Sequence, residues 1–107
     1  MNTDFGLYLI LTDPVAGYEK CAEAAVNENI RYLQLRMKNA AHEEVVAMGR
    51  RIKKITAGSL TRLIMNDSIE AAIESDADGI HLGQTDIPIP EARRQWNTDG
   101  KIFGLST

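Results

Sequence analysis

The stretch that begins at Tyr32 carries polar side chains at every second position, with apolar residues between them. Within YLQLRMK, Gln34, Arg36 and Lys38 supply an amide, a guanidinium and an ammonium group. Alternate residues of a β-strand share one face, so these three side chains are predicted to lie together. Two positive charges of this kind suit a diphosphate, because guanidinium and ammonium groups bind phosphate oxygens.

Further polar residues follow the apolar runs that come later in the chain. Asn66 and Asp67 close the run RLIMN, Asp86 follows GIHL, and Ser106 ends KIFGLS. Two carboxylates at neighbouring strand ends suit Mg²⁺, a cation that prefers oxygen ligands and retains waters that phosphate can replace. The sequence therefore predicts a phosphorylated small molecule held by Mg²⁺ on Asp67 and Asp86.

A second interpretation of Asp67 concerns helix capping. The sequence Asp67-Ser-Ile-Glu70 fits a capping box, in which an acidic or hydroxyl residue caps a helix and an acid follows three positions later. Local sequence favours this structural role. Capping uses only one carboxylate oxygen, however, so the second oxygen could still bind a metal.

The elements that position these residues alternate between two periodicities. The apolar run at residues 7–12 is typical of a parallel strand buried on both faces, and segments of helical period separate it from later runs. The pattern predicts strands at 7–12, 30–37, 62–66, 79–82 and 101–106, with helices at 15–28, 42–55, 68–76 and 90–96.

Alternating strands and helices with short loops predict a parallel α/β sheet, either an open doubly wound sheet or a (β/α)8 barrel. Neither G-x-G-x-x-G nor the phosphate-loop motif occurs, which disfavours a nucleotide-binding open sheet. Helices cover the outer face of such a sheet, so the polar side of residues 32–38 is predicted to face a barrel interior. The alternative is an edge strand with one solvated face.

Composition excludes several classes of protein. The 107 residues form one domain, 1–107, with 44% apolar and 25% charged residues, which excludes a disordered chain. A net charge of −3 disfavours a general binder of nucleic acid or of anionic membranes. The single cysteine, Cys21, excludes a disulfide framework. The apolar run near the start is too short for a signal or membrane segment, so the cytoplasm is expected.

Five segments together resemble one family. In order, LYLILTD, YLQLRMKNA, LIMND, ADGIHLGQTDIP and IFGLST resemble thiamine-phosphate synthase, a (β/α)8 barrel enzyme of thiamine biosynthesis. The resemblance extends over nearly all of the chain but matches only about the first half of such an enzyme. It implies the first five strands of a barrel with their helices.

The family resemblance also implies an activity. Such enzymes join a hydroxymethylpyrimidine diphosphate to a thiazole phosphate and release diphosphate, with Mg²⁺ as cofactor. The implied mechanism is dissociative: Arg36 and Lys38 neutralise charge on the departing diphosphate, and no protein nucleophile is needed. The residues implied to bind the pyrimidine diphosphate are Gln34, Leu35, Arg36, Met37, Lys38, Asn66 and Ser106, and those implied to bind the metal are Asp67 and Asp86.

Other functions remain open on the sequence alone. A thiazole tautomerase would share the barrel without using the diphosphate site, and a Schiff-base aldolase would use Lys38 as its nucleophile. A half-barrel that only binds or assembles would need no chemistry. Because the matched half excludes the late loops, we expect the 107 residues alone not to complete the synthase reaction. We expect them to form homo-oligomers or to pair with a missing half.

Overall fold

Parallel strands alternate with helices in the computed structural model, which describes residues 8–14, 16–83 and 86–105. The strands are β1 (Tyr8–Leu11), β2 (Tyr32–Leu35), β3 (Arg62–Asn66), β4 (Gly79–Leu82) and β5 (Ile102–Leu105). The helices are α1 (Tyr18–Asn27), α2 (His42–Thr56), α3 (Ile69–Glu74) and α4 (Ile89–Gln95). The alternation predicted from the sequence is confirmed, and most elements are shorter than predicted.

The sheet has the strand order β1-β2-β3-β4-β5, and every neighbouring pair is parallel. A doubly wound sheet would reverse its order at some point, to place helices on both faces. The described strands instead follow one another in chain order, as they do around a (β/α)8 barrel. The fold is therefore α/β of the barrel type, represented by five strands.

The core lies between the sheet and its helices. Leu33 and Leu35 of β2 and Leu63 and Met65 of β3 alternate along their strands and are at most 1% exposed. Helix α2 packs its buried face, which includes Ile52, against the same side. The period of two predicted for the apolar residues is thus confirmed, and the intervening side chains face the other side of the sheet.

Strand β2 lies between β1 and β3, so the alternative of an edge strand with a solvated face is wrong. Gln34 is only 3% exposed. The strand ends at Leu35, however, two residues earlier than predicted. Arg36 and Lys38 therefore lie in the turn that follows β2, where strand alternation no longer fixes which way a side chain points.

Strand β1 departs from the prediction of burial on both faces. Leu9 and Ile10 are 38% and 52% exposed, and Leu105 of β5 is 50% exposed. Strands β1 and β5 are the two edges of the sheet, and no described strand pairs with their outer sides. The apolar run is typical of a strand that is buried on both faces in a closed barrel. Among the described residues, nothing covers Leu9 and Ile10 enough to bury them.

The amino ends of the strands are held by an ion pair. Asp78, directly before β4, accepts a hydrogen bond from the backbone N–H of Leu63 at 2.8 Å. Its other oxygen lies 2.8 Å from Nζ of Lys53 on α2. This carboxylate ties β3, β4 and α2 together at the end of the sheet opposite to the polar strand ends.

In the part of the chain that the structure describes, no helix is long and apolar enough to cross a membrane.

Candidate functional site

A groove of about 430 Å³ opens on the inner face of the sheet, towards the carboxyl ends of the strands. This is the end at which barrel enzymes carry their active sites. Polar and charged side chains from four strands and the loops that follow them reach it, together with Ile10 and Gly83. The lining residues are Tyr8, Ile10, Gln34, Arg36, Asn66, Asp67, His81 and Gly83.

Three side chains on neighbouring strands form a hydrogen-bonded relay across the groove. Nε2 of Gln34 donates to the hydroxyl oxygen of Tyr8 at 2.8 Å, and Nδ2 of Asn66 donates to Oε1 of Gln34 at 3.0 Å. The relay satisfies the buried amide of Gln34 on both sides. An amide at this depth would be costly without such partners.

Arg36 is the first residue beyond β2, and its backbone N–H donates to the carbonyl oxygen of Leu11 at 3.0 Å. That bond extends the hydrogen-bond ladder between β1 and β2 by one residue and fixes the position of the Arg36 backbone. The guanidinium side chain is exposed and lines the groove. An exposed, accessible cation of this kind is available to an anionic ligand.

Asp67 follows β3 in the left-handed region, with φ 69°, a conformation that Asp and Asn adopt more readily than other non-glycine residues. Its backbone N–H donates to the carbonyl oxygen of His81 at 2.9 Å. The capping role proposed for Asp67 is wrong, because the cap of α3 is Ser68. The hydroxyl oxygen of Ser68 accepts from the backbone N–H of Ala71 at 3.1 Å. The carboxylate of Asp67 therefore does not cap α3, and Asp67 lines the groove.

The carboxyl groups of Asp67 and Asp86 lie within hydrogen-bonding reach of each other. Burial raises the pKa of Asp67, the hydrogen bond and the negative charge of Asp86 raise it further, and Arg36 and His81 partly oppose the rise. Asp86 is held by the backbone N–H of Gly83, which donates to Oδ2 at 2.6 Å. The loop thus brings a second carboxylate beside the first, as the sequence predicted.

The chemistry of this pair fits a divalent cation. Two adjacent carboxylates repel each other, and a bound cation would relieve that repulsion. Across residues 8–14, 16–83 and 86–105, no group of three or more His, Cys, Asp or Glu residues could hold a metal. Two protein carboxylates with waters and ligand phosphates completing the shell is the arrangement usual for Mg²⁺. Asp67 and Asp86 are the residues that would hold it.

The remaining predicted site residues are not all brought to the groove. Lys38 is exposed in the turn after β2 and is not among the lining residues of the groove. The side chain of Leu35 is buried and that of Met37 packs against the core, so only their backbone could meet a ligand in the groove. Ser106 lies outside the described residues.

Two groove residues with polar side chains were missed by the sequence interpretation. The sequence interpretation assigned no role in a site to Tyr8 or to His81, although both line the groove. Gly104, in register with His81 on β5, leaves room for the imidazole ring, since a Cβ there would lie 2.8 Å from Nδ1 of His81. The signal available in the sequence was period two: His81 lies between the buried Ile80 and Leu82, and Tyr8 alternates with Leu9 and Leu11 along β1.

Comparisons with known proteins indicate one family. Residues 7–107 match the family described as thiamine monophosphate synthase. The thiamine-phosphate synthase of Shouchella clausii is 37% identical over 96% of this chain and 50% of that protein. The corresponding protein of Anaeromyxobacter dehalogenans is 42% identical over 88% of this chain and 41% of its own length.

The solved structures give the same result. The thiamine phosphate pyrophosphorylase from Pyrococcus furiosus superposes with a TM-score of 0.82 at 28% identity, covering 95% of this chain and 50% of that one. The chain thus spans about half the length of the relatives it matches. The match of nearly every residue to one family and the fold shared with one of its solved structures lead to one conclusion: the chain belongs to the thiamine monophosphate synthase family.

Proposed function

We propose that this chain carries the diphosphate-binding half of a thiamine-phosphate synthase site. The reaction would join a hydroxymethylpyrimidine diphosphate to a thiazole phosphate and release diphosphate. The chain's own residues would bind the pyrimidine diphosphate with Mg²⁺. The thiazole phosphate would be bound by the part of the family's barrel that corresponds to the uncovered half of the relatives.

One observation carries the proposal: the contact between Asp67 and Asp86 beside the exposed guanidinium of Arg36. A carboxylate pair without a cation is unfavourable, and a lone arginine beside it only partly offsets the repulsion. A diphosphate with a divalent cation suits both the carboxylate pair and the arginine. The carboxylates bind the cation, and the diphosphate oxygens can contact the cation and the guanidinium together. The same groove then holds the ring that the diphosphate carries, over the amides of Gln34 and Asn66.

The residues of the chain would act by binding and by charge. Arg36 would donate hydrogen bonds to the diphosphate and stabilise the negative charge that develops as it departs. Asp67 and Asp86 would hold Mg²⁺, and the bound ion would supply further positive charge to the leaving group. Lys38 would join Arg36 only if its exposed side chain turns towards the ligand. A stabilised pyrimidine methylene cation needs no protein nucleophile, which disfavours the aldolase alternative.

Calorimetric titration of the chain with the pyrimidine diphosphate, with and without Mg²⁺, tests the proposal. We expect binding with Mg²⁺ and at least about tenfold weaker binding without it, because the carboxylates would then repel the ligand. Inorganic diphosphate serves as a second ligand that has no ring. Binding that is absent, or equally tight in the presence of a chelator, would contradict the proposal.

Two further parts of the proposal concern partners and compartment. The open apolar faces of β1 and β5 support association of this chain with further strands, either from another copy or from a second half of the barrel. The substrates are small phosphate esters, and the cytoplasm is the compartment that we propose for the reaction.

A further inference from the structure

Gly104 on β5 is the neighbour over which the imidazole of His81 lies. The two residues are in register, and a Cβ atom at position 104 would lie 2.8 Å from Nδ1 of His81, a separation that would force one of the two to move. The next nearest atoms to that Cβ position are Cε1 and Cγ of the same imidazole, at 3.6 and 3.7 Å. The absence of a side chain at position 104 therefore gives room chiefly to His81.

On its other side the imidazole faces the polar wall of the groove. Asn66 on β3 is also in register with His81, and its Nδ2 donates to Oε1 of Gln34 at 3.0 Å. Asn66 and His81 both line the groove, whereas Gly104 is not among its lining residues. The imidazole thus lies between the groove and a position on β5 that carries no side chain.

An apolar hollow of about 130 Å³ lies below the imidazole, towards the amino ends of the strands. Gly104 is part of its lining, so a methyl group there would narrow the hollow. Moving the imidazole into it would separate the ring nitrogens from polar partners, which is costly. An imidazole displaced from Gly104 would therefore move towards Asn66 and into the groove. The hollow is lined by Tyr8, Tyr32, Ile64, Ile80, His81, Ile102 and Gly104.

We propose that Gly104 is a positioning residue that keeps the groove open for the pyrimidine of the ligand, because it lets His81 lie back over β5. A side chain at position 104 would push the imidazole into the space of the pyrimidine. The diphosphate, bound by Asp67, Asp86 and Arg36, would keep its place. The inference rests on the proposed function for the identity of the ligand, whereas its geometric part, the position of the imidazole, is independent of any ligand.

Gly104→Ala is the direct test, because it adds one methyl group at the position that the imidazole overhangs. The strand should tolerate the change, since glycine inside a strand weakens it. The matched background is His81→Ala, which removes the imidazole, alone and combined with Gly104→Ala. Affinities for the pyrimidine diphosphate and for inorganic diphosphate are measured by calorimetry with Mg²⁺ on all four chains.

In Gly104→Ala we expect affinity for the pyrimidine diphosphate to fall at least about fivefold, the lower end of the cost of overpacking a contact. Affinity for inorganic diphosphate, which has no ring, should stay the same. In the His81→Ala background the same substitution should change neither affinity, because no imidazole remains to be displaced. Equal losses in the two backgrounds, equal losses for the two ligands, or unchanged affinity for the pyrimidine diphosphate would overturn the positioning role.

Failure of the proposed function is a different result. If the unmodified chain binds neither diphosphate, that function is wrong, and NMR on the ligand-free chains decides the role of Gly104. We expect a nuclear Overhauser effect between the imidazole proton on Cε1 and the α-protons of Gly104. In Gly104→Ala we expect one between the imidazole and the side-chain amide of Asn66 instead. An imidazole that keeps the same neighbours in both chains would overturn the proposal.

Discussion

The carboxyl group of Asp67, at the end of β3, is hydrogen-bonded to that of Asp86, in the loop after β4. Two carboxylates cannot share such a bond unless one of them holds a proton or a cation takes the place of that proton. Burial of Asp67 adds to the cost of its charge. The pair is therefore unfavourable at neutral pH without a ligand, and this cost makes it a suitable site for a divalent cation.

The metal assignment predicts a selective effect of Asp86→Asn. The amide oxygen can still accept from the backbone N–H of Gly83, so the loop should keep its conformation. Because one of the two anionic ligands is lost, we expect the gain in diphosphate affinity on adding Mg²⁺ to fall at least about tenfold in calorimetry. Asp99→Asn, in the exposed loop after α4, should retain the full gain. An unaltered response to Mg²⁺ in Asp86→Asn would refute the assignment.

The pKa of Asp67 predicts how stability depends on pH without metal. Its folded-state pKa is raised from 3.8, so the folded chain binds this proton more tightly than the unfolded chain does. The contribution of Asp67 to folding is therefore most favourable below pH 3.8 and declines as pH rises through the folded-state pKa. Asp67→Asn, which tolerates the same backbone conformation, should become more stable relative to the unmodified chain as pH rises from about 4 to 7.

Denaturant unfolding at several pH values, in the presence of a chelator, measures this difference. Asp99→Asn, which changes an exposed acid in the loop after α4, is the control and should not show the trend. Mg²⁺ with diphosphate at neutral pH should stabilise the unmodified chain and not Asp67→Asn. A difference between the two chains that is constant over this pH range would contradict the raised pKa.

The strands and the placement of Asp67 and Asp86 could be predicted because they follow from periodicity. Apolar runs mark the strands, and parallel strands bring their carboxyl ends to one edge whatever lies between them. The cap of α3 could not be predicted, since Asp67 and Ser68 both suit that position. The choice depends on the left-handed backbone at Asp67, which forms as its N–H reaches the carbonyl oxygen of His81.

The hydrogen bonds that link Tyr8, Gln34 and Asn66 could not be predicted from the sequence either. Tyr8 and Gln34 are 26 positions apart, and their contact depends on the register between β1 and β2 and on the side-chain directions. Lys38 illustrates the limit of period two, because the strand ends at Leu35 and the turn sends the next side chains in directions that alternation does not determine. Arg36 still reaches the groove because its own N–H remains in the ladder.

Arg36 is predicted to act on the ligand and not on the fold. Replacing it by methionine removes an exposed charge and retains much of the aliphatic length, so the melting temperature should change little. Diphosphate affinity should fall by about 1.5–3 kcal/mol, the value of hydrogen bonds to charged groups. Arg62→Met, an exposed arginine at the opposite end of β3, should leave that affinity unchanged. A large loss of stability with normal binding would identify Arg36 as a structural residue instead.

The open edges of the sheet predict self-association of the 107-residue chain. Ile10 on β1 is 52% exposed beside Tyr8 and Leu9, at an edge where backbone groups can pair with another strand. A lysine at position 10 places a charge on that face, so Ile10→Lys should shift the chain towards monomer in light scattering. Leu60→Lys is the control: Leu60 is 64% exposed in the segment after α2, away from both edges. A monodisperse monomer without any substitution would refute the prediction, and an equal effect of the two lysines would assign association to general hydrophobicity and not to the strand edge.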